Sequence, residues 1–226
     1  MFYRNKMAQT WFVPFCSFLI LVIATLLLSG CASDDSRPFE SSCVEGNCTH
    51  PLDVLNPTNV LKTAKFSRVK FVGQIDQRGC GAATLSSVLS YWDKPVTYES
   101  IVSKYPSASV EGYSVGELKS IAVKYNLLAY SMQISEKTLK ENLAKGRPII
   151  VAVKKYIFKH TSILPDFIPF KDKVTYSHFL VIFGFSEKGY WVMDPAEGYM
   201  YLAAETLKEM WNRQRFVGLL ISSKAY

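Results

Sequence analysis

Gln74-Ile75-Asp76-Gln77-Arg78-Gly79-Cys80-Gly81-Ala82-Ala83, continued by an apolar run to Trp92, is the stretch from which the fold of this chain is read. A glycine stands on each side of Cys80, which predicts a turn where the backbone can approach a substrate closely. From Cys80 onward, Ala82, Ala83, Leu85, Val88, Leu89 and Trp92 recur at helical spacing, so Cys80 is expected on the first turn of a buried helix. A helix start favours the thiolate over the thiol, through the helix dipole and the free N–H groups. Gln74 lies six residues upstream and is placed to aim its side-chain NH2 at the same point. A nucleophile and an oxyanion donor therefore come from one short segment.

Working outward, the chain after this helix alternates short helices with strands. A strand is expected around Val69–Val72, before the Gln74 turn. Thr97 to Tyr105 reads as a short helix, and Ser114-Val115-Gly116-Glu117 has capping-box spacing for another, running to about Tyr125. Leu127 to Ile134 reads as a strand. Ser135 caps a helix that Gly146 closes, and Pro148 to Val153 is a β-rich central strand. Residues 154–177, rich in aromatics, Lys and Pro, show no clean period and read as a long surface loop. His178 opens a strand through Phe185, and Tyr190 to Asp194 returns as its hairpin partner. Gly198 to Leu202, a helix from Ala203 to Asn212 and a last strand from Phe216 complete the domain. The order predicts an α+β domain with helices on one side of a mostly antiparallel sheet.

The amino terminus is of another kind. Arg4 and Lys6 precede an apolar stretch from Trp11 to Leu28 and then Leu28-Ser29-Gly30-Cys31, the pattern of a secretory signal. Leu-Ser-Gly-Cys resembles the bacterial lipobox, which implies a signal peptide over 1–30 and lipidation of Cys31. An uncleaved transmembrane anchor and a free buried Cys31 are the alternatives. Ala32 and Ser33 follow Cys31, with no Asp immediately after it, which in a Gram-negative cell resembles a lipoprotein sorted to the outer membrane. Residues 31–65 form a polar, turn-rich tether, and 66–226 the globular domain. Cys43 and Cys48 in the tether read as a local disulfide in an oxidising compartment. A metal site with His50 is the alternative, but it falls short of the four ligands of a structural zinc. With Cys16 in the leader, Cys80 is the one cysteine left unassigned. The net charge of +7 falls to +5 once Arg4 and Lys6 are removed. It is scattered, without the basic block of a nucleic-acid domain, so no nucleic-acid partner is expected.

His178 and Asp194 bracket a hairpin and finish near its open end, where cross-strand diagonal neighbours lie about 7–8 Å apart. Cysteine, histidine and an orienting carboxylate are what thiol acyl transfer requires. Gln74 and the Cys80 N–H would form the oxyanion hole. Together these positions resemble the double-glycine leader peptidases, the bacteriocin-processing, papain-like cysteine peptidase family 39. The resemblance runs from about Phe71 to Ile221. It rests on Gln74-Ile75-Asp76 with Gly79-Cys80-Gly81-Ala82-Ala83, on Ser177-His178-Phe179-Leu180-Val181-Ile182, and on Asp194-Pro195. It implies a papain-like fold, with Cys80 as nucleophile, His178 as general base and acid, Asp194 as orienting carboxylate and Gln74 as oxyanion donor. It also implies a peptide or protein substrate, cleavage after Gly-Gly, association with a secretion or export system, and no metal or organic cofactor. The family's export members carry this domain in front of membrane-spanning and ATPase regions. Here it is expected behind a lipid anchor in the cell envelope. A non-catalytic peptide-binding module and a cell-wall amidase or transglutaminase-like acyl transferase are the rival readings.

Overall fold

The computed structural model describes residues 43–44, 47–48, 65–160 and 171–223, the side chains of 43–48, 65–66 and 157–174 excepted. The expected signal peptide, Cys31, His50 and most of the expected tether lie outside the described residues. In the tether, two short strands, β1 (Cys43–Val44) and β2 (Asn47–Cys48), pair antiparallel with Cys43 across from Cys48. Their sulfur atoms are outside the described set.

The domain is an antiparallel sheet filled on both faces. Its strands are β3 (Lys65–Phe66), β4 (Leu128–Gln133), β5 (Ile149–His160), β6 (Lys171–Phe185), β7 (Gly189–Asp194), β8 (Gly198–Ala203) and β9 (Val217–Ser222), in the order β4-β9-β5-β6-β7-β8. β3 pairs with the end of β6, at Gly184 and Phe185, beyond the point where β5 begins. The helices are α1 (Cys80–Tyr91), α2 (Tyr98–Lys104), α3 (Val115–Lys124), α4 (Glu136–Ala144) and α5 (Ala204–Asn212).

Strand alternation divides the core in two. Ile150, Val181, Phe183, Met193, Leu219 and Ile221 pack under the three N-terminal helices, α1 to α3. Ile149, Val151, Val153, Leu180, Ile182 and Val192 pack against Leu139 and Leu143 of α4 and Leu207 and Trp211 of α5. The N-terminal helices cover an antiparallel sheet as expected. The expectation of helices on one side only is corrected, because the later helices cover the second face. The reason is visible in Ile149-Ile150-Val151, which is apolar without alternation because each face meets its own helices.

Helix starts follow local rules. Ser114 accepts from the Glu117 N–H while the Glu117 carboxylate accepts from the Ser114 N–H, a complete capping box. Thr97 and Ser135 cap α2 and α4 in the same way from their side chains.

Two local expectations fail. The segment 69–72 is not a strand: regular pairing occurs at Lys65–Phe66 instead. The segment beyond is held by single hydrogen bonds, Tyr199 Oη donating to the Val69 carbonyl at 2.8 Å and Ser87 Oγ to that of Lys70. Residues 154–160 and 171–177 are not loop but a continuous β5–β6 ladder, from Lys154↔Ser177 to His160↔Lys171. This arm passes beyond the body of the sheet, since β9 pairs with β5 only at 149–151 and β7 with β6 only at 181–185. The residues of 154–160 and 171–177 do not alternate apolar and polar, so periodicity could not reveal the ladder.

Candidate active site

Cys80 is the first residue of α1 and is 7% exposed. The turn before it is tied by Asp76, whose carboxylate accepts from the Arg78 N–H at 2.8 Å and whose carbonyl accepts from the Gly79 N–H at 3.2 Å. The helix start has no side-chain cap, which leaves first-turn N–H groups beside the thiol to meet developing negative charge. The flanking glycines have a different reason from the one expected. A Cβ on Gly79 would lie 2.3 Å from Tyr98 Oη, and one on Gly81 would lie 2.9 Å from Tyr113 Cβ. Two tyrosines fill the space that side chains there would need.

His178 and Asp194 come together across the β6–β7 hairpin. Extending the Val181↔Met193 register puts Asp194 across from Leu180, one diagonal step from His178 on the same face. The imidazole Nε2 lies 2.8 Å from Asp194 Oδ1, with the two residues 2% and 0% exposed. With Nε2 taken by Asp194, Nδ1 is the ring nitrogen left for Cys80, which lies close enough to raise the pKa of the ring. Burial opposes charge on this ring. The hydrogen bonds and charges of Asp194 and Cys80 outweigh it and hold the pKa at about 9. The Tyr176 ring lies beside the imidazole, with centroids 5.8 Å apart.

Both oxygens of Asp194 are engaged. Its Oδ1 also accepts from the Ala196 N–H at 2.8 Å, and its Oδ2 accepts from Lys155 Nζ at 2.7 Å. Burial raises the carboxyl pKa, but the hydrogen bond and charge of His178 and the Lys155 ammonium overcome that and keep it below the usual carboxylate value. Lys155 also contacts Glu197 Oε1. Gln74 is tied to the same corner, its N–H donating to the Pro195 carbonyl at 2.9 Å. Its buried side-chain Oε1 has no hydrogen-bond partner among the described residues. Sequence reasoning missed Lys155, because it was assigned to loop. Continuing the alternation Ile149, Val151, Val153 by one step would have placed it on the face of His178.

A cleft of about 560 Å³ opens at this corner, with Gln74, Gln77 and Arg78 on one side, Lys154, Tyr176 and Ser177 on the other and Ala196 below. A smaller apolar hollow of about 290 Å³, lined by Leu139, Tyr190, Leu207 and Trp211, shares no residue with that cleft. The polar cleft is the one lined by Gln74 and by Ser177, the chain neighbour of His178.

An antiparallel sheet with a buried cysteine at a helix start, joined to a histidine and a carboxylate on a hairpin, is the arrangement of a papain-like cysteine peptidase. Residues 66–219 match the model of the Peptidase_C39 like family, and the chain belongs to that family. Three solved structures share its fold. A double glycine motif protease from an AMS/PCAT transporter, in complex with the leader peptide, is 23% identical with TM-score 0.53, over 73% of this chain and 97% of that one. A C39-like peptidase from Bacillus anthracis is 15% identical with TM-score 0.55, over 73% and 100%. The peptidase domain of Streptococcus ComA, a bifunctional ABC transporter of a quorum-sensing pathway, is 19% identical with TM-score 0.53, over 70% and 100%. No curated protein matches the chain. Family and fold together support a peptidase function.

Proposed function

We propose that the protein is a lipid-anchored cysteine endopeptidase that cuts a peptide or protein substrate in the cell envelope. The observation that carries this is the buried chain of contacts from Cys80 to His178 to Asp194 at the head of α1. Cys80 Sγ attacks the scissile carbonyl carbon, and the carbonyl oxygen takes the negative charge between the Cys80 N–H and the Gln74 amide. His178 donates its proton to the leaving amine as the C–N bond breaks, leaving a thioester. Water then attacks the thioester, giving its proton to His178, and the C–S bond breaks to release the acid. Asp194 holds the ring in one tautomer throughout. The leader peptide bound by one structural relative supports a peptide substrate and, by extension, cleavage after Gly-Gly beside an export system.

Protein lacking residues 1–31 should be alkylated by iodoacetamide at Cys80 much faster than free cysteine is. It should also cleave glycine-rich peptides, and Cys80→Ala should abolish that turnover. Ordinary thiol reactivity with no cleavage would overturn the reading, and peptide binding without cleavage would replace it with a binding module. Muropeptides assayed in parallel separate it from a cell-wall amidase. The anchor and the tether disulfide are part of the same proposal. In a two-residue hairpin closed by Val44↔Asn47, the next pair, Cys43↔Cys48, is the close non-hydrogen-bonded one, which suits a bridge. Intact mass of membrane-extracted protein should show an acylated chain beginning at Cys31 with these two thiols oxidised; an unprocessed amino terminus or two free thiols would refute each part.

A further inference from the structure

The mechanism above uses Cys80, His178, Asp194 and Gln74, and it leaves one ionised group of the site without a role. Lys155 is on β5, paired in register with Tyr176, two residues past the Val153 that pairs with His178. Its side chain is only 13% exposed, and its Nζ is 2.7 Å from Asp194 Oδ2. A long cationic side chain is rarely buried without a partner that requires it. Here the partner is a carboxylate with no solvent exposure, whose other oxygen is committed to His178 and the Ala196 N–H.

We infer that Lys155 is a positioning residue of the peptidase, acting on the cysteine–histidine pair through Asp194. The inference rests on the peptidase reading. Two physical effects follow from the geometry. The first is orientation: with Oδ2 held by Lys155, the carboxylate cannot turn, so Oδ1 stays in line with Nε2 and Nδ1 stays on sulfur. The second is charge. With Cys80 as thiolate and His178 as imidazolium, Asp194 would leave the buried cluster with a net negative charge, and Lys155 makes it neutral. A buried charge without compensation is costly. Glu197 sits at the rim, half exposed, and draws on the same ammonium.

The charged and titratable groups around the cluster are few. His178 faces Asp194, Cys80 and the Tyr176 ring, and Lys155 faces Asp194, Glu197 and Tyr176. Burial disfavours the Lys155 ammonium, but Asp194 and Glu197 outweigh that and raise its pKa, so it stays charged wherever the enzyme works. Removing a cation makes the local potential more negative and raises the pKa of every neighbouring acid. Lys155→Met should therefore move both limbs of the pH profile of Cys80 alkylation to higher pH, by about one unit each. The His178 ring titration, followed by NMR, should move the same way.

The decisive experiment compares wild type, Lys155→Met, Lys155→Arg and Glu197→Gln in the chain lacking residues 1–31, by iodoacetamide rate against pH and by His178 NMR titration. Arginine keeps the charge and should return the limbs to wild-type pH. Glu197→Gln, at an exposed position, frees the ammonium for Asp194 and should move the limbs the opposite way, to lower pH, which keeps the idea testable if Lys155→Met does not fold. A uniform loss of rate in Lys155→Met with unmoved limbs and an unmoved His178 titration would mean a merely structural lysine and overturn the inference. Glu197→Gln profiles that coincide with wild type, or move to higher pH, would also overturn it. Wild-type Cys80 reacting no faster than free cysteine would instead sink the peptidase reading, and this inference with it.

Discussion

Raising the pH from 6 to 10 should cost this protein a defined part of its stability, and His178 is the reason. The ring is 2% exposed, so solvent does little to screen its interactions. Its pKa stands at about 9, against 6.5 for a free imidazole. A group whose pKa is raised on folding binds its proton more tightly in the native state. Its contribution is complete below the unfolded value of about 6.5 and is lost as pH rises through about 9. The difference of about 2.5 pKa units, at about 1.36 kcal/mol per unit, is on the order of 3 kcal/mol, counted once for the coupled Cys80–His178–Asp194 cluster. Against a typical total of about 5–15 kcal/mol, that is large. Urea denaturation of wild type and His178→Gln at intervals from pH 6 to 10 reads it directly. The stability difference between the two should shrink by about 3 kcal/mol across the range. Asp194 does not blur the test, because its lowered pKa puts its own loss of stability on the acid side, outside this window. A difference that stays constant from pH 6 to 10 would refute the assignment of a raised pKa to His178, and with it the charged ring in the mechanism.

Gly79→Ala should destabilise the domain by roughly 1–3 kcal/mol, because the new Cβ would meet Tyr98 Oη at 2.3 Å while the backbone φ of −80 tolerates any residue. Combining it with Tyr98→Phe should recover part of the loss in thermal denaturation; strictly additive effects would rule the clash out. Gln74→Ala should lower kcat by about 10²–10³ and leave the rate of Cys80 alkylation unchanged, since its backbone bond to Pro195 is retained. Equal losses in both assays would make Gln74 a structural residue rather than an oxyanion donor.

Most of what was legible in the sequence was local. Helical spacing after Cys80, the hydroxyl caps at Ser114 and Ser135, and the glycine at 146, which adopts φ +70, act over a few residues, and each is found where it was read. The hairpin from His178 to Asp194 was legible for the same reason, because a tight turn sets its own register. The sequence by itself therefore determined most of the helices, the His178 hairpin and the candidate trio. Tertiary structure decided the rest, wherever the partner is distant in the chain. The two glycines beside Cys80 owe their identity to Tyr98 and Tyr113, 19 and 32 residues away in sequence. The strands at 154–160 and 171–177 exist because each supplies the other's hydrogen bonds, which leaves no apolar period to detect. Lys155 reaches Asp194 across 39 residues of chain, and no spacing rule links a lysine on one strand to a carboxylate two strands away. Its charge was visible from the start, but only the pairing of β5 with β6 and β6 with β7 turned it toward the site.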